Sequence, residues 1–202
     1  MRYTVQRLRW AIVALILASA LMGADHLGLF GHRPEAATGD YERYHDREFR
    51  VVHVVDGDTL DVDAPDRDKP STRVRLWGVD TPETRHPAKS VQHYGREATD
   101  FTRTACDQQT VRLGLVAGKT RDRYGRLLAY VTLPDGRMLN RELVRLGYGY
   151  ADPRYRHPHQ EQFELLQAEA LAARRGLWQD VRNADLPYYY RDELVLQPRP
   201  AD

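Results

Sequence analysis

The sequence predicts an α+β fold: a five-stranded β-barrel with three packed helices, forming one domain with appendages. Three observations carry this expectation. Short β-branched runs separated by turn chemistry recur five times between Phe49 and Leu133. Helical spacing of apolar residues is confined to three short segments. A chain of 202 residues with 42% hydrophobic content suits one compact domain better than two.

At the N-terminus, Arg2, Arg7 and Arg9 precede an apolar run from Trp10 to Leu17 that continues through small residues to Ala24. This pattern is an export signal: the run is shorter than the ~20 residues a membrane-spanning helix needs, and Ala18-Ser19-Ala20 offers a cleavage site. Residues 1–24 are therefore expected to be a signal peptide or an uncleaved signal anchor, the second because apolar character resumes at Leu27 to Phe30. The chain is expected to be exported, secreted or periplasmic, or else anchored by this segment. Residues 25–47, polar and interrupted by Pro34 and Gly39, read as a flexible linker.

The folded body is expected over residues 48–180. Val51 to Val55, Leu60 to Val62 and Val74 to Val79 read as three strands separated by Asp56-Gly57 and by the stretch Ala64 to Ser71. Two more follow at Val111 to Val116 and Leu127 to Leu133, the last ending in Pro134-Asp135-Gly136. The helices are marked by Ala98, Phe101 and Ala105, by Leu139, Leu143 and Leu146, and by Phe163, Leu166, Ala170 and Ala173. Asn140 is the expected N-cap of the second and Gly147 its terminator. The OB-fold is the commonest five-stranded barrel of this size, and it often binds oligonucleotides. Residues 181–202 form a tail with no assignable element.

Charge and cysteine content narrow the field. A single cysteine, Cys106, excludes an intramolecular disulfide. Beyond Ala24, 27 basic residues face 29 acidic ones, which excludes polyanion binding through a global positive field. Any phosphate contact must come from locally placed arginines and a bound cation.

Three clusters supply such groups. Asp56-Gly57-Asp58-Thr59 is first a hairpin signal, but Asp58 also offers a hard oxygen at a strand start. In Arg75-Leu76-Trp77-Gly78-Val79-Asp80-Thr81-Pro82-Glu83, strand alternation sets Arg75 opposite Val74 and Leu76, and the strand ends in two carboxylates three residues apart. Phosphodiester chemistry needs a cation site, a base for water and fixed positive charge, and Asp80, Glu83 and Arg75 are those residue types. Arg121-Asp122-Arg123-Tyr124-Gly125-Arg126 adds a second arginine and an aromatic ring able to stack on a base. His157 and His159 read as surface residues without a role, and Trp77 and Trp178 as core.

The stretches V-D-G-D-T, R-L-W-G-V-D-T-P-E-T-R-H-P, Y-G-R-E-A, D-R-Y-G-R-L-L-A-Y and L-N-R-E-L-V-R-L-G together resemble the staphylococcal nuclease family, in its order and near its spacing, over Val51 to Trp178. The resemblance implies an OB-fold nuclease acting on DNA and RNA. Asp58 and Asp80 would bind Ca²⁺ through carboxylates and Thr81 through its carbonyl, with Asp56 nearby. Arg75 and Arg126 would hold the scissile phosphate, and Glu83 would activate or position water for in-line attack, leaving 3′-phosphorylated products. Tyr124 and Tyr155 would contact the nucleotide, and Lys89, in the stretch Arg85 to Val91, the phosphate backbone. Pro153 departs from the family pattern, standing where an aromatic is expected. The alternative is a non-catalytic member of the family, a nucleic-acid- or protein-binding module tethered to the membrane. No obligate protein partner is expected, and the chain is expected to be a monomer.

Overall fold

The computed structural model of the chain describes residues 35–84 and 92–191. Five strands close a barrel: β1 (Arg47–Asp56), β2 (Thr59–Val62), β3 (Thr72–Leu76), β5 (Thr110–Gly114) and β6 (Leu127–Thr132), in the order β1-β2-β3-β6-β5. The five expected strands are these five. A two-residue strand β4 (Val79–Asp80) pairs with another, β7 (Tyr150–Ala151), beside the barrel.

Closure depends on β1, whose ten residues serve two neighbours. Its first half, Arg47 to Arg50, pairs with β5, and its second half, Val51 to Asp56, pairs with β2. Register irregularities between Val51 and His53 and between Val54 and Asp56 add the bend and twist that let one strand turn this corner. The pairing of β3 with β6 is parallel and the other barrel pairings are antiparallel.

Burial follows from what covers each strand. β5 alternates exposed and buried residues, as a strand with one wet face must. β6 is buried at Leu127 through Val131 because helices cover its outer side. Those helices are α3 (Leu139–Arg145), which packs on β6 directly, and α4 (Gln160–Ala172), which packs on α3 and reaches β6 through the Phe163 ring against Tyr130, while α2 (Gly95–Cys106) packs on β1. One core joins Val54, Leu60, Val74, Leu76, Leu113 and Val131 of the barrel to Leu139, Leu143 and Phe163 of the helices. Each such side chain contributes about 1.5–3 kcal/mol on burial. A smaller cluster gathers Tyr150, Ala170, Leu177, Trp178, Leu186 and Tyr190. Trp77 and Trp178 are both buried, as the sequence predicts. Cys106, at the end of α2, is fully buried; its Sγ donates to Thr102 O at 3.1 Å, and burial pushes the thiol up to about 12.

Four expectations are corrected. Residues 35–44, within the expected linker, form a helix, α1 (Glu35–Tyr44), with Tyr44 fully buried and its hydroxyl 2.9 Å from Thr72 Oγ1. Asp40 receives a bidentate ion pair from Arg121, which also clasps Asp66, so α1 is tied to two loops of the body. Asn140 is not the N-cap of α3, a position held by Met138; it is fully buried, and its side chain bonds barrel backbone. His157 is buried, its Nδ1 3.0 Å from the Tyr130 hydroxyl. The tail is ordered in part: Leu186 and Tyr190 lie in the smaller core. Residues 1–34 fall outside the described residues, and with them the segment expected to direct export. Among the described residues no helix is long and apolar enough to cross a membrane.

Candidate active site

The turn from β1 to β2 and the end of β3 place the acidic half of the site. Asp58 follows the Gly57 turn and Arg75 lies on β3, both buried. Gly57 is required by close approach, since a Cβ there would meet Thr81 Oγ1 at 2.8 Å and the Ala98 Cβ at 2.9 Å. Gly78, between β3 and β4, has φ +79°, and a Cβ would strike the His157 ring at 2.3 Å. A side chain at Gly57 would push apart the two segments that carry the carboxylates, and one at Gly78 would displace the buried His157 ring.

Arg75 is the hub. Its Nη1 sits 3.0 Å from Asp58 Oδ2 and donates to Val79 O at 2.6 Å and Leu76 O at 2.9 Å; its Nη2 donates to Asp80 Oδ1 at 2.7 Å. Three hydrogen bonds and the ion pair to Asp58 hold the planar fork in one orientation. The Thr81 amide donates to Asp58 Oδ2 at 2.8 Å, joining the two chain segments directly. Burial raises Asp58 to about 6 against the opposing pull of Arg75, with Asp56 adding to the rise. Asp80 is raised for the same first reason, partly offset by Arg75. Burial works against the Arg75 charge, but Asp58 and Asp80 outweigh it and raise its pKa. Glu83 is raised by burial and then by Asp58 and Asp80, with Arg75 and Arg126 opposing. Its backbone is pinned from both directions, the amide donating to Gln92 Oε1 at 2.8 Å and the carbonyl accepting from the Gln92 amide at 2.9 Å.

The basic half is a loop organised by one carboxylate. Asp122 accepts from the Tyr124 amide at 2.9 Å, the Arg126 amide at 2.9 Å and Arg126 Nε at 2.7 Å. The loop is thereby closed, and Arg126 is aimed by its own neighbour. Tyr124 is 68% exposed, with the Arg123 and Arg126 guanidinium groups 4.7 and 5.5 Å from its ring centre.

A cavity of about 560 Å³ unites the halves. Asp56, Asp58, Arg75, Asp80, Glu83, Tyr124, Arg126 and Tyr155 all line it. Of the nine residues singled out from the sequence, Thr81 stands just behind the cavity, bonded to Asp58, and Lys89 lies outside the described residues.

Three further residues belong here and escaped the sequence reading. Lys119 lies 5.3 Å from the Trp77 ring centre and 5.4 Å from that of Tyr155, at the cavity edge. Arg154 Nη2 reaches Asp80 Oδ2 at 3.0 Å while its Nε is held by Asp152 at 2.8 Å. Tyr189, from the tail, donates its hydroxyl to the same Asp80 oxygen at 2.5 Å. The run Arg154-Tyr155-Arg156 carried a signal, an aromatic between basic residues. Tyr189 carried none, since a contact to Asp80 across 109 positions has no local pattern.

Paired carboxylates on a locked arginine, facing a third carboxylate and a second arginine across one cavity of a small barrel, are the groups that hydrolysis of a phosphodiester bond requires. The model of the family described as "Staphylococcal nuclease homologue" matches residues 73–180. A thermonuclease of Staphylococcus hyicus is 40% identical over 136 residues, 66% of this chain and 76% of that protein. A thermonuclease of Staphylococcus intermedius is 38% identical over 135 residues, covering 65% and 76%. An uncharacterized endonuclease of Escherichia coli is 39% identical over 138 residues, again covering 65% and 76%. The chain belongs to the staphylococcal nuclease family.

Proposed function

We propose that this chain is an exported, Ca²⁺-dependent endonuclease that cuts DNA and RNA without sequence preference and leaves 3′-phosphorylated products. The observation that carries the reading is Arg75, locked between Asp58 and Asp80 and sharing one cavity with Glu83 and Arg126. The relatives named thermonuclease support it.

The donor set suits a hard divalent cation. Asp58 is a buried carboxylate, pushed up to about 6 because burial disfavours its charge more than Arg75 stabilises it. Among the described residues no group of three or more His, Cys, Asp or Glu side chains is placed to hold a metal ion, so a cation here would rest on two carboxylates and backbone oxygen. Asp58 and Asp80 would hold the ion by carboxylate and Thr81 by its carbonyl, a set of few acids that suits Ca²⁺. When bound, the ion stabilises charge developing on the phosphoryl oxygens.

The chain's own groups do the rest. Arg75 and Arg126 approach the phosphate from the two halves of the cavity and stabilise its equatorial oxygens, and both are oriented by carboxylates before substrate arrives. Glu83, on a backbone fixed by Gln92, accepts a proton from the attacking water or positions it. The bond to the 5′-oxygen breaks opposite the attack. Tyr124 offers a ring to the nucleotide, and Tyr155, 48% exposed, a second.

The test is cleavage of single-stranded DNA by the chain lacking residues 1–24, with Ca²⁺ and with a calcium-selective chelator, beside Glu83→Gln and Arg126→Ala. Cutting that needs Ca²⁺ and fails in both variants is expected; full activity in chelator or in either variant refutes the assignment. Export rests on the arginines and apolar run of residues 1–24. Mass spectrometry that recovers a chain beginning near Leu21 supports release, and an intact N-terminus supports the anchor.

A further inference from the structure

A second cavity, about 910 Å³, opens on the far side of the same carboxylates. It shares Asp80, Glu83 and Arg154 with the first, and its outer wall is the tail, including Arg182, Tyr188 and Arg191. Its size lies within the roughly 300–1,000 Å³ that encloses small ligands. The two cavities therefore meet at the position proposed for the scissile phosphate, with Tyr124 and Tyr155 on one side and the tail on the other.

The tail wall is built rather than loosely apposed. Tyr190 and Leu186 are buried, and the Tyr190 hydroxyl bonds Ala151 O. Tyr189 is held by its bond to Asp80 and by the Arg154 guanidinium 4.5 Å from its ring centre. Tyr188, 69% exposed, packs edge-on against Tyr189 at 5.3 Å and 82°. A large exposed ring is thus presented on an anchored one, so little side-chain freedom remains to be lost when something stacks on it. Beside it, Arg182 is oriented by Asp185 at 2.8 and 2.9 Å, and Arg191 donates its Nε to Leu186 O at 3.0 Å. An exposed aromatic and two oriented arginines lining one groove are the combination that tracks a single strand, the ring stacking on bases and the arginines meeting phosphates.

We propose that this groove is a subsite for single-stranded nucleic acid, receiving the nucleotides beyond the scissile phosphate, with Tyr188 as the stacking platform and Arg182 and Arg191 as phosphate contacts. The inference rests on the nuclease reading above. A strand is favoured over a peptide because the groove continues directly from the phosphate-binding cavity. A single strand is favoured over a duplex because Tyr188 needs an unstacked base.

The experiment measures binding, not cutting. In chelator, fluorescence anisotropy follows labelled thymidine strands of about three and about nine nucleotides on the full chain, wild type and variants. The longer strand is expected to bind about tenfold more tightly. Tyr188→Ala is expected to weaken it by about five- to tenfold while leaving the shorter strand unchanged, and Tyr188→Phe is expected to retain affinity. Arg191→Ala is expected to reduce the salt dependence by roughly one phosphate contact. Equal affinity for the two lengths, or a Tyr188→Ala chain that binds the longer strand as wild type does, overturns the subsite. Absence of cutting in Ca²⁺ by wild type strikes the nuclease reading instead, so the two failures are told apart.

Discussion

Asn140→Ala tests whether the barrel and the site share one latch. The Asn140 Oδ1 accepts from the Val131 amide at 2.9 Å, and its Nδ2 donates to Trp77 O at 3.0 Å and Ala129 O at 3.1 Å. These bonds fasten the start of α3 to β6 and to the end of β3. Ala129 O also accepts from the Trp77 amide at 3.0 Å, so it keeps a partner when Asn140 is lost. The Val131 amide and Trp77 O lose theirs in a fully buried place. At about 1 kcal/mol for each of two bonds, with a further 1–2 kcal/mol for the stranded amide and the vacated volume, the loss is about 3–4 kcal/mol. Guanidinium chloride unfolding at pH 7 reads it directly. With a slope of about 4 kcal/mol/M, the midpoint should fall by roughly 0.9 M with no change in slope. Because Trp77 O lies one residue before the Gly78 turn that carries Asp80, activity should fall by more than the unfolded fraction explains. A stability loss under about 1 kcal/mol with full activity would refute the latch.

Other consequences concern charge. Burial lowers His157 to about 4, with His159 and Lys119 adding to that effect and Asp152 and Glu164 opposing it. Between about pH 4 and 6.5 the unfolded chain therefore binds more protons at this residue than the folded one, so stability rises with pH across that window and levels off above it. The contribution is up to about 3 kcal/mol. His157→Gln should remove that part of the slope in urea titrations at several pH values; identical slopes in the two chains contradict the assignment. Arg121→Ala leaves Asp40 and Asp66 without their shared partner and should cost about 2–3 kcal/mol, with Arg121→Ala/Asp40→Asn recovering part of it. Thermal unfolding that finds no recovery argues against charge as the cause. Glu83→Gln should lower kcat by about 10²–10⁴-fold with KM little changed, and a change confined to KM would mean that Glu83 only binds substrate.

The barrel was legible because its strands are β-branched runs with turn residues between them, and such runs are strands largely by their own composition. That Asp58, Arg75, Asp80, Glu83 and Arg126 gather in one cavity was legible because all five fall within short motifs. Elements made by distant contact were not. α1 has the sequence EAATGDYERY, with a glycine at its centre and few apolar residues. It is held by Tyr44 against Thr72 and by Asp40 against Arg121, partners 28 and 81 positions away, so no local periodicity announces it. Asn140 was misread because its residue type suits a helix start, whereas its use is to satisfy barrel backbone. The pair β4–β7 has two residues on each side, too few for any alternation to register.

Cys106 gives the chain a practical property. It is the sole cysteine, fully buried, with a thiol pushed up to about 12, so thiol-directed reagents near neutral pH meet almost no reactive thiolate on the native protein. A cysteine introduced at an exposed position remote from both cavities, such as Leu165 at 63% exposure, would carry a dye as a single defined reporter. The native molecule comes ready for single-molecule spectroscopy without first having its own sulfur removed.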